Sequence, residues 1–214
     1  MNISKFVELG KKIVCVGRNY AEHATELGNK VPTEPLLFLK PTTAYLSEGN
    51  KIKMPPGCTD LHHEVELGVV IGTKGTDIPV ESAMDHVGGY ALALDMTARN
   101  LQDAAKKKGH PWTLAKAFDT SCPVSKFVEK ERVQNVHNVR LWLSVNGDIR
   151  QDGNTSDMIF KVPTLISYIS RSMTLEPGDM ILTGTPSGVG PVKSGDVIVA
   201  GLDQLMEMSF SVAE

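Results

Sequence analysis

The chain has 214 residues, enough for one large domain or two small ones, and it is 41% hydrophobic and 22% charged, as globular proteins usually are. Its net charge of −3, without a stripe of lysine and arginine, provides no field that would attract nucleic acid. No run of about 18 apolar residues is present, so no membrane-spanning helix is expected. Three widely spaced cysteines without a CxxC motif argue against a disulfide framework or a thiolate metal site.

A short helix is predicted over residues 18–28, after a first strand at residues 12–16. His23 and Glu26 lie three residues apart and would share one face of this helix. An imidazole in contact with a carboxylate can activate water; the alternative is an exposed helix with an incidental ion pair. A loop rich in proline follows, so we expect that the helix can move as a lid.

The most informative stretch is the acidic strand predicted over residues 61–71. Side chains alternate along a strand, which places Glu64 and Glu66 on one face and Val65 and Leu67 on the other. Two adjacent carboxylates at the start of a buried strand repel each other and lose solvation, and a divalent cation relieves both penalties. Oxygen-only ligands favour Mg²⁺, Mn²⁺ or Ca²⁺ over zinc. The alternative is a strand with one solvent-exposed face.

Asp95 follows the apolar strand predicted over residues 90–94 and is a third candidate metal ligand. The alternative is that it caps the helix predicted over residues 97–108. On that helix Arg99 and Gln102 would share one face.

Two lysine-containing segments come next. The run of three lysines at residues 106–108 is expected at a solvated helix end, where the helix dipole favours positive charge. Lys116 is the one lysine of the otherwise uncharged segment 112–118. Such a lysine has a lowered pKa or lies near anions, and the alternative is a surface lysine whose stem covers apolar neighbours.

The C-terminal half reads as strands, one helix and a glycine-rich loop. Asn146-Gly147 is a strong hairpin signal. The loop at residues 183–191 lacks GxGxxG and the P-loop lysine, so it is a weak candidate for nucleotide binding, although its backbone N–H groups can still meet an anion. Other predicted elements of this half include a strand at residues 139–145 with its return at 149–151, a helix at 162–173, and strands at 197–200 and 206–212.

Taken together, the carboxylates Glu64, Glu66 and Asp95 leave about three positions of an octahedral Mg²⁺ for substrate and water. The pair on the predicted lid, Lys116 and the glycine-rich loop complete a candidate site for a small anion.

Six motifs along the chain, each weak alone, carry a specific family resemblance in combination. They are GRNY at residues 17–20 with His23 and Glu26, FLKP at 38–41, HEVEL at 63–67, GY at 89–90 with DMTAR at 95–99, LAK at 114–116, and TGTPSGV at 183–189. Nearly the whole chain resembles the fumarylacetoacetate hydrolase family, and in length it is similar to the small mitochondrial acylpyruvase and oxaloacetate decarboxylase branch.

The resemblance implies an α+β, β-rich fold: a mixed β-sheet roll of the fumarylacetoacetate hydrolase C-terminal-domain type with a short N-terminal lid helix. It implies one catalytic domain over residues 1–214, which we expect to form a homodimer. It also implies a mitochondrial matrix location, with the cytoplasm as second choice.

The resemblance further implies Mg²⁺, or Mn²⁺, at Glu64, Glu66 and Asp95. Catalytic roles fall on His23, Glu26 and Lys116, and the residues expected to bind substrate are Arg18, Tyr20, Arg99, Gln102 and Thr185. The expected reactions are hydrolysis of acylpyruvates and decarboxylation of oxaloacetate, both through an enolate of pyruvate. The alternatives are an isomerase or tautomerase of unsaturated or oxo dicarboxylates, and a metal-dependent 2-oxo acid binding protein without turnover.

Overall fold

The computed structural model describes residues 2–21 and 32–213, and in this part strands far outnumber helices. The strands are β1 Ile13–Gly17, β2 Leu36–Lys40, β3 Tyr45–Leu46, β4 Lys51–Ile52, β5 Leu61–His63, β6 Val65–Ile71, β7 Val87–Leu94, β8 Thr97–Ala98, β9 Cys122–Pro123, β10 Val128–Glu129, β11 Arg140–Val145, β12 Asp148–Asn154, β13 Met180–Leu182, β14 Gly190–Val192, β15 Val197–Leu202 and β16 Met206–Val212. The expected β-rich α+β fold is confirmed.

The helices are short. The α-helices are α1 Phe6–Leu9, α2 Arg99–Lys108, α3 Thr113–Lys116 and α4 Val162–Ser170, and the 3-10 helices are Ile3–Lys5, Thr42–Ala44, Val80–His86, Lys130–Arg132 and Thr155–Asp157. None of the helices described is long and apolar enough to cross a membrane. Most of the predicted lid helix, with His23 and Glu26, lies outside the described residues.

Both large sheets are mixed, as expected. The six-stranded sheet has the order β10-β7-β6-β13-β1-β2, in which only β1 and β13 are parallel. The five-stranded sheet has the order β12-β11-β15-β16-β4, in which only β16 and β4 are parallel. A three-stranded antiparallel sheet, β14-β5-β8, carries the approach of the chain to the acidic stretch.

The centre of the six-stranded sheet is buried on both faces. Every residue of β6 is buried, which is why the strand reads as a nearly continuous apolar run. Alternate side chains join different apolar clusters: Val69 packs in the cluster that contains Leu141 and Phe210, and Val70 packs in the one that contains Phe6. The acidic side chain of Glu66 is therefore introduced into an otherwise apolar layer.

The predicted strand over residues 61–71 is interrupted at Glu64, which corrects the sequence-based expectation. β5 pairs with β8 and β14, whereas β6 pairs with β7 and β13. The chain thus leaves one sheet and enters another at Glu64. The same pairing explains why α2 begins at Arg99 and not at residue 97, since Thr97 and Ala98 form β8 against His62 and Leu61.

The hairpin between β11 and β12 is confirmed. Asn146 and Gly147 have φ values of 53° and 90°, the left-handed backbone that a two-residue type I′ turn requires at both positions. This turn sets where β12 begins, and β12 supplies Gln151 to the region around the acidic stretch.

Candidate active site

Three carboxylates meet at the junction of β6 and β7. One oxygen each of Glu64, Glu66 and Asp95 lies within 4.8 Å of the others, and all three residues are buried. The antiparallel register of β6 and β7 brings Asp95 next to Glu64, whose carbonyl accepts a 2.8 Å hydrogen bond from the Asp95 N–H. The alternative role of Asp95 as a helix cap is wrong, because Ala98 precedes α2 and no side chain caps it.

Two buried lysines flank Asp95. The Lys116 ammonium donates to Asp95 Oδ2 at 2.6 Å and to Glu64 Oε2 at 3.0 Å. The Lys40 ammonium lies 2.8 Å from Asp95 Oδ1 and donates to the carbonyl oxygens of Met96 and Lys116. Lys116 therefore lies near anions and is not a surface lysine. Lys40 was not among the predicted site residues. The sequence analysis included it only as part of the FLKP motif.

The pKa values of Glu66 and Lys116 reflect their burial and the charges around them. Burial raises the pKa of Glu66 well above its ordinary value, and repulsion from Asp95 and Glu64 raises it further. Burial lowers the pKa of Lys116, but the attraction of Asp95 and Glu64 outweighs it, so this pKa is raised and the lysine is charged. The suggested lowering of the Lys116 pKa is thus wrong.

The donor set fits a hard divalent cation. Three carboxylates with no sulfur or imidazole ligand among them are the chemistry that Mg²⁺ and Mn²⁺ prefer. The Gly184 N–H donates to Glu66 Oε2 at 2.7 Å and holds that carboxylate in place. The glycine-rich loop therefore does offer an N–H group to an anion, but the anion is the protein's own glutamate.

The carboxylates face a cleft that encloses about 430 Å³ of space, counting the part open to solvent. Its lining comprises Val16, Gly17, Arg18, Phe38, Glu64, Glu66, Asp95, Arg99, Gln102, Lys106, Trp112, Lys116 and Thr185. Five of these residues were not among the predicted site residues: Val16, Gly17, Phe38, Lys106 and Trp112. Lys106 could have been found from its spacing, because it follows Arg99 and Gln102 by seven and four residues on one helix.

Arg99 and Gln102 form one wall of the cleft. The Arg99 guanidinium donates to Glu64 Oε1 at 2.8 Å and to Gln102 Oε1 at 2.6 Å. Because the amide oxygen of Gln102 accepts from Arg99, the amide nitrogen remains as a donor. Thr97 supplies a further hydrogen bond to Glu64 Oε1, at 2.8 Å.

Thr185 lines the cleft, but its hydroxyl group is already committed. It donates to the Val65 carbonyl at 2.7 Å and accepts from Gln151 Nε2 at 2.8 Å. Gln151 in turn accepts from the Val65 N–H at 3.0 Å. These bonds tie the glycine-rich loop to the start of β6, so the Thr185 hydroxyl hydrogen is not available to a substrate.

The two predicted residues near the N-terminus are placed differently. Arg18 lines the cleft with a φ of 59°, an uncommon conformation for a residue with a side chain. The neighbouring Asn19 is anchored by hydrogen bonds to Thr183 and Phe160, which hold this backbone in place. Tyr20 is buried, is not part of the cleft lining, and its hydroxyl group has no hydrogen-bond partner among the described residues. His23 and Glu26 lie outside the described residues.

Comparison with known proteins identifies relatives over nearly the whole chain. The family profile described as fumarylacetoacetate (FAA) hydrolase C-terminal matches residues 12–213. The human protein named "Oxaloacetate tautomerase FAHD1, mitochondrial" is 60% identical over 210 residues, which cover 98% of this chain and 95% of the relative. "Oxaloacetate decarboxylase, mitochondrial" of Dictyostelium discoideum is 58% identical over 212 residues, which cover 98% and 97%.

A solved structure of the same family has a closely similar fold. The fumarylpyruvate hydrolase of Pseudomonas aeruginosa, solved in complex with Mn²⁺ and pyruvate, superimposes with a TM-score of 0.91 at 39% identity. The match covers 95% of this chain and 90% of that one.

We predict that Glu66→Gln abolishes stabilisation by Mg²⁺ without lowering the stability of the metal-free protein. The substitution removes a charge that Asp95 and Glu64 repel and keeps an oxygen for the Gly184 N–H. A ligand at 100 times its Kd stabilises a protein by about 2.7 kcal/mol, so the Tm of the parent protein should rise by several degrees with Mg²⁺.

Thermal unfolding with Mg²⁺ and with EDTA measures both effects. Glu81→Gln, at an exposed position of the 3-10 helix Val80–His86, is the matched control and should keep the full Mg²⁺ shift. An undiminished Mg²⁺ shift in Glu66→Gln would contradict the assignment of this residue as a ligand.

Proposed function

The chain belongs to the fumarylacetoacetate hydrolase family, and from this premise we propose that it is a metal-dependent enzyme that acts on small 2-oxo acids through an enolate, with oxaloacetate as substrate. The observation that carries the proposal is the buried group of Glu64, Glu66 and Asp95 beside the charged Lys116. The relatives named for oxaloacetate reactions support the choice of substrate.

Glu64, Glu66 and Asp95 would hold Mg²⁺, with Mn²⁺ as the other candidate. A cation bound there supplies Lewis acidity, which polarises the keto group of a 2-oxo acid and favours its enolate. The Pseudomonas aeruginosa relative, whose complex contains both Mn²⁺ and pyruvate, supports this use of the site.

Lys116 would stabilise the negative charge that develops on the keto oxygen. Its ammonium carries three hydrogens, of which the contacts to Glu64 and Asp95 occupy two, so one remains for an oxygen of the substrate. Lys40 acts as a positioning residue, because it binds both Asp95 and the backbone carbonyl of Lys116. A preorganised cation in a site shielded from water stabilises such charge strongly.

Gln102 would bind the carboxylate adjacent to the keto group. Arg99 fixes its amide so that the nitrogen is the free donor, and Gln102 lies on the cleft wall. Arg99 itself is committed to Glu64, so its role is to orient the other two groups.

His23 and Glu26 would move protons, as the family resemblance implies. In tautomerisation a base removes a proton from C3 of oxaloacetate and the enolate oxygen takes one up. In decarboxylation the C3–C4 bond breaks, its electron pair forms the enolate, CO₂ leaves, and C3 is protonated to give pyruvate. Neither reaction needs an attacking water.

Hydrolysis of acylpyruvates is the second candidate activity. The same enolate of pyruvate leaves when water attacks the distal carbonyl and the C–C bond breaks, and the fumarylpyruvate hydrolase structure favours this reaction. The alternative that is not an enzyme is a protein that binds 2-oxo acids without turnover. Steady-state assays with oxaloacetate and acetylpyruvate distinguish the two, because a binding protein would convert neither substrate.

We predict that Lys116→Met lowers both the ketonisation and the decarboxylation of oxaloacetate, because the enolate is common to them. Removing one preorganised electrostatic group typically costs about 10²–10³-fold in kcat. Disappearance of the enol and formation of pyruvate are followed with Mg²⁺ and with EDTA, and circular dichroism verifies folding. Lys74→Met, at an exposed lysine, is the control and should keep full activity. Unchanged kcat in Lys116→Met would contradict the role.

We predict that Glu26→Ala separates water-dependent from water-independent chemistry. Glu26 would orient His23 or share its proton, so hydrolysis of acetylpyruvate should fall by ~10²–10⁴-fold and decarboxylation of oxaloacetate distinctly less. Both rates are measured on the same preparation. Equal losses of the two activities would show that Glu26 serves binding or closure.

We also propose that the chain forms a homodimer through the surface around β2. This strand lies at the edge of the six-stranded sheet, and the nearby Leu36, Leu39 and Leu114 expose apolar side chains. Light scattering should give twice the chain mass, and Leu39→Asp should lower it. Ile149→Asp, at an exposed apolar residue of β12, is the control. A monomeric parent protein would contradict the proposal.

A mitochondrial location is proposed because the human and Dictyostelium discoideum relatives are named mitochondrial. Fractionation of cells that express the full-length protein with a C-terminal tag is the test. Recovery in the cytosolic fraction alone would contradict it.

A further inference from the structure

Lys106 extends the cleft-facing side of α2 toward solvent. It lies four residues after Gln102 and seven after Arg99, so the three side chains share one face of the helix, and all three line the cleft with Arg18. The expectation that residues 106–108 form a solvated helix end is confirmed, since all three lysines lie in the last turn of α2 and are exposed. Lys106 differs from Lys107 and Lys108 in that it also lines the cleft.

Contacts on two sides hold the Lys106 ammonium at the rim of the cleft. It lies 5.7 Å from the centre of the Trp112 ring, within the range of a cation–π interaction. Its carboxylate partner is Asp103, at 3.3 Å and half-exposed. Such exposed ion pairs are weak, so the ammonium can exchange Asp103 for a better anion.

Three cations are close to one another at this rim. Burial lowers the pKa of Lys106, and repulsion from Arg99 and then from Arg18 lowers it further, while Asp103 opposes the change. Arg99 is already paired with Glu64 inside the cleft. An anion that enters between Lys106 and Arg18 would relieve their repulsion.

We propose that Lys106 and Arg18 form a subsite for the distal carboxylate of a dicarboxylic 2-oxo acid. The keto acid end of the substrate would bind at the site formed by the three carboxylates and Gln102. Lys106 and Arg18 at the rim would bind its other end. The subsite would make this chain select oxaloacetate over acylpyruvates such as acetylpyruvate, whose distal end carries no charge. The identity of the substrate in this inference rests on the proposed function, but the test measures binding and does not require turnover.

Two stable acids of equal length test the subsite by binding alone. Malate and 2-hydroxybutyrate share a 2-hydroxy acid end, and they differ in having a carboxylate or a methyl group at the other end. Calorimetry with Mg²⁺ should show tighter binding of malate by the parent protein. Lys106→Met should weaken the binding of malate about tenfold, which is the effect of losing one charged hydrogen bond, and should leave the affinity for 2-hydroxybutyrate unchanged.

Two further variants separate charge from structure. Lys106→Arg keeps the charge and should retain most of the affinity for malate, and Lys107→Met removes an exposed lysine one residue away and should change neither ligand. In kinetics, Lys106→Met should raise the KM for oxaloacetate with little change in kcat, and leave the KM for acetylpyruvate unchanged.

Equal affinities of the parent protein for the two acids, or a Lys106→Met variant that binds malate as tightly as the parent, would overturn the subsite. A parent protein that prefers malate and loses this preference in Lys106→Met supports it, even if no turnover of oxaloacetate is found. The loss of malate preference in Lys106→Met, found together with no turnover of oxaloacetate, would contradict the proposed function but still support the dicarboxylate subsite.

Discussion

Asp95 is held between two buried ammonium groups, and the arrangement of the site depends on this charge balance. Lys40 meets one of its oxygens and Lys116 the other. Breaking a buried ion pair by removing one partner typically costs about 3–5 kcal/mol, because the other charge stays buried without compensation. Even with Lys40, Lys116 and Arg99 nearby, burial and then repulsion from Asp95 and Glu64 hold the pKa of Glu66 well above its ordinary value, a condition that a divalent cation would relieve.

The charges of this cluster come from parts of the chain that only the fold brings together. Lys40 ends β2, Lys116 ends α3, Glu66 lies within β6 and Asp95 follows β7. The antiparallel pairing of β6 with β7 aligns the acidic residues, whereas β2 lies at the far edge of the same sheet. The fold thus converts residues distant in sequence into one electrostatic unit.

Features set by local rules were predictable from the sequence. The Asn146-Gly147 hairpin follows from turn geometry, and the proximity of Glu64 and Glu66 follows from spacing along an extended chain. Tertiary features were not predictable in this way. The break between β5 and β6 depends on pairing with β8 and β7, and the burial of Lys40 depends on Asp95, 55 residues away. The direction of the Lys116 pKa likewise depends on which distant carboxylates surround it.

Chemistry and substrate choice are located in different layers of the cleft. In the proposed function, the buried layer of carboxylates and Lys116 would stabilise an enolate, which tautomerisation, decarboxylation and hydrolysis all require. The rim formed by Arg18 and Lys106 lies on less buried parts of the chain, and in the proposed subsite it would contact only the far end of a substrate. A change at the rim can therefore alter which acid is accepted without disturbing the buried charges on which the fold and the enolate both depend.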